Sequence, residues 1–172
     1  MKKIFALIIC LFCFISATVR AEEEEKVLPH WENLKSIKVY IPPKHEYSSL
    51  MKKAFDEWES ASKGKIKFLY VYSPKQAQDI VVFNDMFSGD ELGTTTMKHQ
   101  TICAPIYKRV DGKMNATEIY AVMLHEIGHS LGLPHSNDQK ALMYYQSYKG
   151  GAKSITQSDV KALYEIYGWK YR

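Results

Sequence analysis

Five residues inside one short stretch restrict this chain more than any other feature. They are His125, Glu126, His129, Gly132 and His135, within HEIGHSLGLPH. On a helix, His125 and His129 share one face and lie about 6 Å apart along the axis. That separation suits two imidazoles closing on one Zn²⁺ with bonds of about 2.0–2.1 Å. Glu126 is turned about 100° round the helix from His125. It is poorly placed as a ligand but can reach a water on the metal, where a general base belongs. A helix continued to residue 135 would carry His135 away from the metal. Gly132 can take positive φ, turn the chain sharply and bring His135 back as a third imidazole. Three histidines leave a fourth position open, which is the catalytic rather than the closed structural arrangement of zinc.

The rest of the chain supplies a frame for that helix. Alternating or β-branched runs predict strands at Ile37–Ile41, Lys65–Tyr72, Asp79–Phe83, Leu92–Met97 and Thr101–Val110. Pro105 makes the last of these irregular or an edge. Leu50, Met51, Ala54, Phe55 and Trp58 recur at spacings of 3 and 4 and predict a helix over Ser48–Ala61, ended by Gly64. Asn115–Leu131 is expected to be the helix carrying the histidines, with Asn115 and Glu118 as a capping box. A long loop, Leu133–Ser154, precedes a last helix over Thr156–Tyr167, capped by Thr156 and Asp159 and closed by Gly168. One α+β domain accounts for this order.

Of 172 residues, 46% are hydrophobic and 24% charged, a mix that excludes long disorder and coiled coil. Lys2 and Lys3 precede an apolar run, Ile4–Ile15, and small residues lead to Ala21. The pattern predicts a signal peptide over 1–21. The run falls short of the roughly 20 residues that span a bilayer, so no stable membrane insertion is expected once it is removed. The net charge is +4, and without Lys2, Lys3 and Arg20 the 20 remaining basic residues face 19 acidic ones. Such a chain is no polyanion binder, and nucleic acid is not an expected partner. Residues 22–36 are assigned to an N-terminal tail, opened by the acidic run Glu22–Glu25, and 37–172 to the catalytic domain. The mature chain would keep Cys103 as its only cysteine, expected to be a small buried hydrophobe. The product is expected to be exported, secreted or periplasmic, and monomeric.

The motif HEIGHSLGLPH resembles the extended zinc motif of the metzincin metallopeptidases. Ala141-Leu142-Met143-Tyr144 matches the form of their methionine turn, and Ser136 with the ALMY run is most similar to the matrixin branch. Thr156–Val160, Leu163-Tyr164 and Gly168 are similar to the matrixin closing helix. The resemblance implies a zincin-like single domain with a twisted mixed sheet, an active-site helix and a C-terminal helix. It implies one catalytic Zn²⁺, with Met143 as a hydrophobic floor beneath the ligands. It also implies that Leu92–Met97 is the edge strand that pairs with an extended polypeptide substrate.

Tyr145 departs from the matrixin pattern, which has proline there. In the astacin and serralysin branches a tyrosine at that place lies near the zinc. Tyr145 is then a fifth ligand, an oxyanion donor, or an aromatic of the pocket wall. Cys103, in TICAPIY, does not match the matrixin cysteine switch. His30, His45 and His99 are scattered and are expected to be ordinary histidines. Ca²⁺ would need several oxygens, for which Asp79, Asp85, Asp90 and Glu91 are the candidates.

The expected activity is a secreted zinc-dependent endopeptidase. Water on the zinc attacks the peptide carbonyl, and Glu126 moves the proton as general base. The alternative is a secreted protein that keeps the zinc fold to bind peptides, without catalysis or with narrow specificity.

Overall fold

Strand β1, Ile37–Tyr40, alternates cleanly: Ile37 and Val39 are buried and Lys38 is exposed. A strand with one apolar face needs a layer to cover it. In the computed structural model, which describes residues 31–83, 93–96, 100–103, 107–108, 112–145 and 151–171, helices provide that layer. β2 (Phe68–Tyr70) and β3 (Asp79–Phe83) flank β1, both parallel to it. β5 (Gln100–Cys103) adds to β3 in parallel, and β4 (Gly93–Thr96) closes the sheet antiparallel to β5. The order is β2-β1-β3-β5-β4, so β4 lies at an edge, as expected for Leu92–Met97. A separate hairpin pairs β6 (Tyr107–Lys108) with β7 (Gly112–Lys113).

Parallel neighbours need a crossover connection. Helix α1, Ser48–Ala61, makes the one between β1 and β2. Its buried residues are Met51, Ala54, Phe55 and Trp58, the stripe read from the spacing. Each large side chain fully buried here contributes roughly 1.5–3 kcal/mol of hydrophobic stabilisation. Helix α2, Ala116–Ser130, packs against α1 and against β4 and β5. Helix α3, Gln157–Ile166, ends the fold, and its Tyr164 hydroxyl donates to the Ser62 carbonyl at the end of α1. This is the expected α+β arrangement.

Two strand expectations are corrected. Thr101–Val110 is not one strand: β5 and β6 are separate and belong to different sheets. Pro105 stands between them and has no N–H for a ladder. Lys65–Tyr72 yields only the short β2, because the amides before it are used elsewhere. Ile66 N–H donates to Ser62 Oγ, and Lys67 N–H to the Leu34 carbonyl. Residues 31–36, placed by the sequence in the tail, contribute Trp31 and Leu34 to the core. Residues 1–21, expected to be a signal peptide, together with Glu22–Glu25, His30, Asp85, Asp90, Glu91 and His99, lie outside the described residues, as does the side chain of Cys103. His45 stacks on Phe83, with ring centres 4.0 Å apart. Asp79 is fully buried and accepts the Ser130 hydroxyl, so its carboxylate faces the core.

Candidate metal centre

Helix α2 is built to present its last turn. Asn115 Oδ1 accepts the Glu118 N–H and Glu118 Oε2 accepts the Asn115 N–H, both at 3.0 Å. The predicted capping box is therefore formed, and it satisfies two otherwise unpaired donors. From Ala121 to Gly128 every residue is buried. A helix buried on all sides must be held by neighbours on all sides. One of them is Trp58, whose indole N–H donates to the carbonyl of Leu124 at 2.8 Å, one residue before His125.

The helix ends in a Schellman turn. Leu133 N–H reaches back to the Gly128 carbonyl at 3.0 Å, and Gly132 N–H reaches the His129 carbonyl at 2.9 Å. Gly132 has φ +90°, the left-handed conformation that the sequence assigns to it. The chain then runs back, and Ser136 N–H donates to the Met143 carbonyl at 2.7 Å. His135 is thereby brought beside His125 and His129.

The imidazoles converge. His129 Nε2 stands 3.1 Å from His125 Nε2 and 3.1 Å from His135 Nε2. The ligand atoms of all three lie within 4.8 Å of one another. His125 Nδ1 donates to the Leu142 carbonyl at 2.9 Å, and His129 Nδ1 to the Leu133 carbonyl at 2.8 Å. A carbonyl only accepts, so in both rings the proton is on Nδ1 and the lone pair on Nε2. Two such Nε2 atoms cannot hydrogen-bond each other, and a shared cation resolves their approach. Tetrahedral bonds of about 2.0–2.1 Å would set neighbouring nitrogens about 3.3 Å apart, close to what is seen. Burial pushes His125 down to about 4 and His129 down to about 3, so both are neutral at neutral pH, as ligands must be. The group fits Zn²⁺.

Met143 is 2% exposed. It lies so close to Gly128 that a Cβ there would overlap its sulfur, and would also come 3.3 Å from Trp58 Cζ2. Any other residue at 128 would force the Met143 thioether out of its place against α2. Met143 is thus in contact with α2 at Gly128, between His125 and His129.

Asp159 bears on this cluster, though sequence reasoning saw it only as a cap. It does cap α3 with Thr156, but its carboxylate, 1% exposed, also accepts Leu142 N–H at 3.0 Å and Met143 N–H at 3.1 Å. The Leu142 carbonyl accepts from His125, so Asp159 is connected to that imidazole through one peptide unit. The capping signal was legible, but nothing in the spacing shows where the second oxygen points. Asp159→Ala strands two buried N–H groups and is expected to cost about 3 kcal/mol in urea unfolding. A cost below about 1 kcal/mol would show that the turn stands without it.

Glu126, beside His125, is 4% exposed. Tyr145 follows the methionine turn, 53% exposed, with its ring 4.7 Å from that of Tyr144.

The matrixin family profile matches residues 92–168, which include all three histidines and the methionine turn. This is a matrixin-like metzincin catalytic domain. It is 28% identical to karilysin of Tannerella forsythia over 142 residues, 73% of this chain and 29% of that protein. It is 30% identical to the interstitial collagenase of Equus caballus over 164 residues, 81% of this chain and 33% of that one. With the interstitial collagenase of Oryctolagus cuniculus the identity is 46%, over 50 residues. The chain spans about a third of the length of the first two of these curated relatives. At the level of the family, the matrixin-like domain is that of zinc-dependent endopeptidases.

Proposed function

We propose that this protein is an exported zinc endopeptidase that hydrolyses peptide bonds in extended polypeptides. The observation that carries the reading is the meeting of three imidazole nitrogens with the buried Glu126 adjacent in sequence. His125, His129 and His135 would hold the ion. A bound zinc supplies Lewis acidity toward a carbonyl oxygen and lowers the pKa of water. Glu126 takes the proton from the attacking water and passes it to the leaving amine. Strand β4, at the edge of the sheet and against α2, is where an extended substrate would add as another strand. Among the described residues no helix is long and apolar enough to cross a membrane.

Zinc content and casein cleavage of the purified protein test this together. One zinc per chain is expected, with cleavage abolished by a chelator and restored by added zinc. Cleavage indifferent to chelation would remove the metal from the mechanism. Zinc without cleavage of any denatured protein would favour the peptide-binding alternative.

A further inference from the structure

The C-terminal end of α2 leaves two carbonyls that the residues immediately following cannot satisfy. Ser130 would look to the amide four residues on, but that residue is Pro134 and has no N–H. Leu131 would look to His135, which the Gly132 turn has carried away. Both carbonyls find donors from distant parts of the fold. The Trp31 indole N–H donates to Ser130 O at 2.7 Å, in a buried position. The Tyr167 hydroxyl donates to Leu131 O at 2.9 Å and accepts the Trp31 backbone N–H at 3.5 Å. Burial raises the pKa of Tyr167, so it remains a donor. Trp31 thus directs both of its N–H groups at this junction. The junction lies between His129 and His135. It also carries the Leu133 carbonyl that holds His129 Nδ1.

We propose that Trp31 and Tyr167 are positioning residues for the metal centre: by closing the last carbonyls of α2 they set the path of the turn that aims His129 and His135. The inference rests on the reading of these histidines as metal ligands. It makes the segment entering at Trp31 and the end of α3 part of the scaffold of the site. Neither touches the ion, and both act through the backbone at 130–133. Loosening the turn widens the spread of ligand geometries and speeds the loss of metal.

The test uses the purified protein with Co²⁺ in place of zinc. Visible absorption reports ligand geometry, and transfer of the ion to a chelator gives its release rate, well below the melting temperature of each variant. Trp31→Phe keeps a large ring and removes the indole donor, and Tyr167→Phe removes one oxygen. Each is expected to shift the cobalt bands and speed release by about tenfold, the lower end for groups supporting a ligand indirectly. Where peptide cleavage is measurable, kcat falls and KM holds. Tyr70→Phe, which removes a hydroxyl bonded to Asp56 on the surface of α1, is the control and should release cobalt like the parent. If Trp31→Phe does not fold, Tyr167→Phe carries the test alone. Parental spectra and release in the variants, or an equal change in Tyr70→Phe, would overturn the inference while the metal centre stands. A parent that binds no cobalt would overturn both. A parent that binds cobalt but cleaves nothing contradicts only the peptidase reading, because release still judges the turn.

Discussion

Glu126→Ala keeps one zinc per chain and loses about 10²–10⁴-fold in kcat, the contribution expected of a positioned general acid–base. The two halves of that result come from different parts of α2. Alanine is the best helix former, so the backbone carrying the histidines persists. His125 and His129 remain held through their Nδ1 atoms by the Leu142 and Leu133 carbonyls, neither of which involves Glu126. What disappears is the carboxylate to which the proposed mechanism assigns both proton transfers. Metal analysis and steady-state kinetics on one preparation decide the matter. A variant that retains more than about a tenth of parental kcat would take Glu126 out of the proton's path.

His129→Ala gives the opposite signature: zinc and activity are lost together. His129 is the middle histidine of the cluster, with its Nε2 3.1 Å from each of the other two. Without it, His125 and His135 are left as a pair, too few for the three-ligand arrangement of a catalytic zinc. The loss of metal also removes the stabilisation that any ion gains by binding only the folded state. Added zinc should therefore raise the melting temperature of the parent and leave that of the variant unchanged. Full zinc occupancy in the variant would break the ligand set. Together, the two substitutions separate proton transfer from metal binding within a single turn of helix.

What could be read in advance was what short stretches of chain decide for themselves. The α1 boundaries, Ser48 and Ala61, followed from apolar spacing, and both capping boxes followed from residues three apart. The Gly132 turn followed because the third histidine needs a sharp reversal that glycine permits at little cost. Strand limits were less legible, because pairing depends on partners remote in sequence. Thr101–Val110 looked continuous, yet its two parts pair in different sheets. Lys65–Lys67 alternated correctly, but Ser62 and Leu34 took its amides.

The sequence by itself determined the three-histidine cluster, the glutamate beside it, the helix that carries them and the glycine that turns the third histidine back. These depend on the 3.6-residue period and on local backbone freedom, which a few neighbouring residues control. Only the tertiary structure decided how the ligands are held. Asp159 grips the methionine turn from α3, Gly128 is small because Met143 and Trp58 press on it, and Trp31 and Tyr167 close the end of α2. Each of those roles is a hydrogen bond or a close contact across a large separation in sequence. Its direction is set by packing, which no local pattern encodes.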